Sequence, residues 1–352
     1  MKFGIFLPNG SNGYIPSKGS PVYLPTFEHN KQISIEAERQ GLDFVLSMMK
    51  YRGFRGETGY WDSCLDSFTL MAAIAAATSR IELFPSVTLL AAHPAVTARM
   101  VATIDDISGG RCGLNIVTGW NKPEYVQMGI WPGDHYYQRR YEYAAEYLQV
   151  VKGLWGEGNL THSGEFFNVV DCDVRPKPSR RVPIVCAGQS PKGLQFTAEH
   201  GDHSFIIAEQ ATLADFCARM RATAEQTKRR VGTYALYQLV LAETDAEALR
   251  IAEGIVAGAD AGAIENILAS AAMDTNTGGT SDRMKSGLSR SLEDGNLAFM
   301  GMPVIHGGPA KVAAKIDEIA EATGVDGILW SMPDFVPAIR LFGEQVMPRL
   351  TC

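Results

Sequence analysis

Two short segments carry the residue types that bind an anion. Gly188-Gln189-Ser190 stands between a short apolar run and a helical pattern. A helix start offers free backbone N–H groups and a partial positive charge, which suit a phosphate. Gly188 lets the backbone approach closely, and Ser190 can donate to the anion; an ordinary serine-capped junction is the plainer alternative. Arg139-Arg140-Tyr141 opens a long helical pattern. Arg140 suits a phosphate through two parallel hydrogen bonds; the alternative is a solvated face beside Glu142 and Glu146.

Other polar candidates follow or end strand-like runs. They are Ser47-Met48-Met49-Lys50-Tyr51-Arg52, then Ser86, then Asn115, then Thr118-Gly119-Trp120-Asn121-Lys122-Pro123-Glu124. Few of these side chains do acid–base work. Hardware for other chemistries is missing: no GxxxxGK[ST], no GxGxxG after a strand, no HExxH and no GxSxG occur. His200 and His203 straddle Gly201 at a helix end, which disfavours a shared metal. Six scattered cysteines form no CxxC pair, so neither a disulfide framework nor a zinc site is expected. No metal is assigned. Amide, hydroxyl, aromatic and thioether groups around an anion site suit a bound cofactor that supplies the hard chemistry.

Those residues need a frame to bring them together. Apolar runs predict strands over 2–7, 43–47, 81–86, 112–117, 182–187, 203–207, 234–242 and 327–330. Helical patterns alternate with them, notably 25–41, 67–80, 94–107, 136–155, 309–323 and 336–349. Thr244-Asp245-Ala246-Glu247 has capping-box form. Eight strands alternating with helices predict an α/β fold, a closed (β/α)8 TIM barrel whose site lies at the C-terminal ends of its strands.

Composition agrees. The chain has 352 residues, 46% hydrophobic and 20% charged, enough apolar content for a large core. A barrel of ~250 residues leaves the remainder for loop insertions, so one domain over 1–352 is expected. Region 257–302 is rich in Gly, Ala, Ser, Thr, Asp and Asn, and reads as a lid or a passive insertion. The formal charge of −7 disfavours a nucleic-acid partner. No long apolar run predicts a membrane span or a signal peptide, so a cytoplasmic protein is expected.

The run Thr103-Ile104-Asp105-Asp106-Ile107-Ser108-Gly109-Gly110-Arg111, followed by Asn115-Ile116-Val117-Thr118-Gly119-Trp120, resembles the bacterial-luciferase-like flavin monooxygenases. So do Leu65-Asp66-Ser67-Phe68-Thr69-Leu70-Met71-Ala72, Lys122-Pro123-Glu124-Tyr125, Gln127-Met128-Gly129-Ile130-Trp131-Pro132-Gly133-Asp134 and Cys186-Ala187-Gly188-Gln189-Ser190. Within that family the likeness is greatest to enzymes that open pyrimidine rings. It is strong over about the first two hundred residues and loosens beyond them.

The resemblance implies a luciferase-like barrel and an FMN cofactor, used reduced with dioxygen as co-substrate. A separate NAD(P)H-dependent flavin reductase would supply the reduced FMN, and the enzyme would form a homo-oligomer. Met49, Lys50, Asn115, Glu124, Arg140, Tyr141 and Ser190 would bind the cofactor, the last three at its phosphate end. Leu46, Met48, Ser86, Asn115 and Trp120 would line the pocket where dioxygen meets the flavin. The implied reaction cleaves a ring amide C–N bond of uracil or thymine through a flavin peroxide. Ser86 departs from the threonine of the pyrimidine enzymes, keeping the hydroxyl and losing a methyl. Alternatives are a related monooxygenase of another cyclic amide, a heteroaromatic ring, a sulfone or a sulfonate, a deazaflavin-dependent oxidoreductase, and a non-catalytic flavin-binding protein.

Overall fold

The computed structural model describes residues 1–275, 279, 281–282 and 291–352. A ring of parallel strands forms its centre. In chain order the strands are β1 (Lys2–Phe6), β2 (Phe44–Leu46), β3 (Glu82–Phe84), β4 (Ser86–Thr88), β5 (Leu114–Val117), β6 (Leu160–Ser163), β7 (Asn168–Cys172), β8 (Ile184–Cys186), β9 (His203–Ile206), β10 (Gly232–Leu241), β11 (Val304–Gly307) and β12 (Gly327–Ser331). Neighbours around the ring run β3-β2-β1-β12-β10-β9-β8-β5-β4. β6 and β7 form a separate antiparallel hairpin.

The third ring strand is broken into β3 and β4 at Pro85, which has no N–H to donate. The expected end at Ser86 is therefore corrected: the strand resumes there and runs to Thr88. The ring closes across this break. Leu83 N–H donates to Arg111 O at 3.0 Å, and Asn115 N–H donates to Pro85 O at 2.8 Å. Counting β3 and β4 as one broken strand gives the eight positions of a (β/α)8 barrel.

Helices α1 (Phe27–Arg39), α2 (Ser67–Ala77), α3 (Pro94–Ser108), α4 (Lys122–Gln127), α5 (Tyr136–Trp155), α6 (Pro191–His200), α7 (Gln210–Gln226), α8 (Asp245–Ala257), α9 (Ala261–Ala272), α10 (Pro309–Thr323) and α11 (Phe335–Leu341) follow the strands. Their starts carry polar caps. Thr26, Asp66, Ser190 and Thr244 each accept a first-turn N–H. No described helix is long and apolar enough to cross a membrane.

Two features differ from expectation. Helix α9 lies inside the region expected to be irregular. Strand β11 was not expected, being four residues after a Gly-rich stretch. It pairs with the outer half of β10, Gln238 to Leu241, on the edge that β9 leaves after Ile206. Residues 276–278, 280 and 283–290 of the expected lid lie outside the described residues.

The barrel is filled from inside by Phe44, Phe84, Phe205, Tyr234, Leu236 and Leu329, all buried. Close approach sets the small positions between them: a Cβ on Gly4 would stand 2.2 Å from the Phe44 ring. The ring's base is tied by Arg111, which donates to the carbonyls of Ala75, Thr78, Ile81 and Ser108 at 2.8–3.0 Å. Asp105 accepts from Ser179 N–H and Oγ. This part of the Thr103–Arg111 run is thus scaffold, holding α2 and α3 against the sheet.

Candidate active site

The C-terminal ends of the strands open into two adjoining cavities of about 170 and 230 Å3. Together they fall within the ~300–1,000 Å3 of small-molecule sites. Phe6, Asn115, Val117, Trp120, Ile207 and Leu236 border both. Met48, Met49, Lys50, Ser86 and Glu124 line the first lobe. Leu46, Arg140 and Tyr141 line the second. The expected oxygen pocket is thereby divided: Leu46 faces the second lobe, while Met48 and Ser86 face the first. Ser190 lines neither. It is buried behind the second lobe, where its Oγ caps α6 by accepting Gly193 N–H at 3.2 Å.

A hydroxyl relay orients Asn115. Ser86 Oγ spends its hydrogen on Ser47 O at 2.5 Å. It must therefore accept from Asn115 Nδ2, which lies 2.8 Å away. Ser67 Oγ accepts Ser86 N–H at 2.8 Å and shares a 2.6 Å bond with Ser47 Oγ. With its Nδ2 committed, Asn115 turns Oδ1 the other way, buried and without a partner. Such an acceptor costs free energy unless a ligand donates to it. Behind Met48, Asn9 accepts its N–H at 3.0 Å and donates to its carbonyl at 2.8 Å.

Lys50 and Glu124 form a buried ion pair at 2.9 Å, with side chains 6% and 3% exposed. Glu124 Oε1 also accepts Tyr51 N–H at 2.5 Å. Burial pushes the Lys50 ammonium below its usual range, opposed by the Glu124 charge. Lys50 Nζ stands 4.9 Å from the Phe54 ring centre and 5.3 Å from that of Trp120. These two rings stack at 6.1 Å. The cation is thus held between a carboxylate and two π faces, an arrangement that is favourable when desolvated.

The second lobe ends on Arg140, Tyr141 and the start of α6. Arg140 does not lie on a solvated face. Its side chain is 7% exposed, and Nη1 donates to Asp274 Oδ2 at 2.9 Å. Its Nε is buried and has no partner among the described residues. Arg139 instead pairs with Glu165 at the surface. The Tyr141 hydroxyl rests against two glycines: a Cβ on Gly188 would come within 2.8 Å of it, and one on Gly193 within 2.5 Å. An unpartnered guanidinium N–H, a phenol and a glycine-lined helix start form a cradle that fits a phosphate. Gly193→Ala is expected to push Tyr141 out of this cradle and weaken the binding of a phosphate-bearing ligand there by at least ~10-fold, as lost charge-assisted bonds would; fluorescence-quenching titration with FMN checks it.

Burial pushes the Cys186 thiol beside the second lobe up to about 12, which keeps it protonated near neutral pH. Sequence reasoning missed Asn9, Thr88 and Asp274, all at or behind the cavity walls. Asp274 reaches Arg140 across 134 residues, which no local pattern signals. Asn121 stood inside a quoted motif but was given no role. Met300, Met302, Asp274, Gly279 and Ser281 bring the 257–302 region to the cavity wall.

A family model described as luciferase-like monooxygenase matches residues 1–327, and the chain belongs to that family. It is an oxidoreductase of the monooxygenase type. Among curated relatives, the pyrimidine monooxygenase RutA of Enterobacter sp. (strain 638) is 44% identical, covering 100% of this chain and 97% of its own. RutA of Escherichia coli O157:H7 (strain EC4115 / EHEC) is also 44% identical, with the same coverage. Among solved structures, EDTA monooxygenase (EmoA) from Chelativorans sp. BNC1 matches with a TM-score of 0.82 at 22% identity, covering 99% of this chain and 92% of that one. Riboflavin lyase (RcaE), solved with modified FMN and riboflavin, matches at 0.81 and 22%, covering 99% and 90%. These two structures share the fold.

Proposed function

We propose that the chain is the oxygenase of a two-component system that opens a pyrimidine ring, uracil or thymine, at an amide C–N bond. The observation that carries the reading is the two-lobed cavity: a phosphate cradle in one lobe and a small, largely apolar, buried lobe in the other, joined at Asn115. The 44% identity to pyrimidine monooxygenases along the whole chain supports the substrate class.

Arg140 Nε, the Tyr141 hydroxyl and the Ser190 end of α6 would hold the FMN phosphate. Met49, Lys50 and Glu124 would border the cofactor from the first lobe. Reduced FMN, delivered by a separate NAD(P)H-dependent reductase, supplies electrons to dioxygen when bound. Asn115 Oδ1 would accept a ring N–H at the junction, fixed there by Ser86 and Ser47. Leu46, Met48 and Trp120 exclude water from the two sides of that junction. The apolar lobe holds the pyrimidine so that its amide carbonyl faces the junction. One atom of dioxygen bonds to the carbonyl carbon and stays as the new carboxyl oxygen, while the ring C–N bond breaks and the released nitrogen takes a proton. The other atom leaves as water, and the four electrons this needs come from two equivalents of NAD(P)H through the reductase. The 257–302 region, through Asp274, Met300 and Met302, would cover the site of one barrel unit.

The protein with FMN, a flavin reductase, NADH and oxygen is expected to consume uracil and release a ring-opened ureido acid, read by mass spectrometry. Turnover of another cyclic amide with none of uracil or thymine would overturn the substrate and leave the class.

A further inference from the structure

Asn121 is a buried polar residue of the first lobe with no part in the reaction proposed for the site. It stands at the N-cap position of α4, where an asparagine ordinarily accepts a first-turn N–H. Here the side chain makes no capping bond. The residue is 2% exposed, lines the first lobe, and keeps Oδ1 buried with no hydrogen-bond partner. No donor among the described residues reaches that oxygen, so a donor on a ligand in the cavity would satisfy it.

Its neighbours narrow the ligand. Lys50 and Glu124 neutralise each other, and Glu124 Oε1 takes Tyr51 N–H. Ser86 is committed to Ser47 and Asn115. Among the described residues, two unpartnered amide oxygens therefore remain on this lobe, on Asn115 and Asn121. Asn115 borders both lobes, whereas Asn121 borders only the first. The two acceptors thus serve different partners, one at the junction and one in the small lobe. A carboxamide is a neutral side chain that presents an acceptor and a donor side by side. The matching ligand edge is the –NH–C(=O)– of a cyclic amide.

We propose that Asn121 is a specificity-determining residue that reads the cyclic-amide edge of the substrate, its Oδ1 accepting the ring N–H. This rests on the pyrimidine reading given above. A site built to bond a substrate N–H rejects the analogue that lacks it, because its own buried acceptor is left unpaired.

The test compares uracil, 1-methyluracil and 3-methyluracil on the FMN-loaded enzyme and on Asn121→Ala. The wild type is expected to prefer uracil over at least one N-methyl analogue by more than ~100-fold in kcat/KM. In Asn121→Ala that preference falls below ~10-fold, the loss on uracil appears mainly in KM, and FMN affinity is unchanged. A variant that keeps both uracil kcat/KM and the discrimination overturns the assignment and leaves the pyrimidine reading intact. Should the variant fail to fold, the wild type decides: equal use of all three compounds overturns the assignment. A wild type that binds and turns over no pyrimidine sinks the function, and this assignment with it.

Discussion

Asn115→Ala is expected to bind FMN with nearly wild-type affinity and to form ring-opened product ~10²–10³-fold more slowly, the scale seen when one preorganised polar group is lost from a reacting centre. In the proposed site the cofactor's phosphate would be held elsewhere, by Arg140, Tyr141 and the start of α6, so binding is expected to survive. Lost instead is the acceptor at the junction of the two lobes, which Ser86 orients through a 2.8 Å bond to Nδ2. NADH and oxygen are still consumed, so product per NADH falls while peroxide release rises. Stopped-assay product counts beside an oxygen electrode separate the two. Unchanged product formation removes Asn115 from the account.

Lys50→Met is expected to destabilise the fold by about 3–5 kcal/mol, because Glu124 is left charged and buried. The pair is 2.9 Å apart and almost wholly out of water. Glu124→Gln strands Lys50 between Phe54 and Trp120 and costs a similar amount. The double variant Lys50→Met/Glu124→Gln recovers most of the loss, since no uncompensated charge remains. Urea unfolding of the cofactor-free proteins measures all four corners of the cycle. Losses that simply add would show that the two residues act separately.

Most of the barrel was legible in the residues. Pro309 opens one helix at its first position, and Gly156 and Gly324 follow the ends of Tyr136–Trp155 and Pro309–Thr323. Apolar runs marked the ring strands because a parallel strand is buried on both faces. Pro85 was visible as a residue, but its consequence depended on the neighbouring strand, which carries the hydrogen bonds past it. Strand β11 was hidden because four residues show no period, and its partner β10 lies some sixty residues upstream.

The candidate site divides in the same way. Its members at strand ends were readable, since a barrel places chemistry there. The family likeness supplied their roles. Long-range partnerships were not readable: Asp274 on Arg140, Asn9 behind Met48, and the Ser47–Ser67–Ser86 relay all depend on closure of the ring. Asn121 was legible only as part of a candidate stretch, and its buried, unpaired oxygen shows only in three dimensions. Part of the most recognisable run, Ser108 to Arg111, proved to be scaffold at the opposite end from the chemistry.

The central claim is that this chain uses dioxygen to open a pyrimidine ring. Its most direct measurement is mass spectrometry of the uracil product formed under labelled dioxygen with FMN, a flavin reductase and NADH. The expected product is a ring-opened ureido acid carrying one labelled oxygen atom in its new carboxyl group. A ring-opened product without the label, or uracil recovered intact while NADH is oxidised, would contradict it.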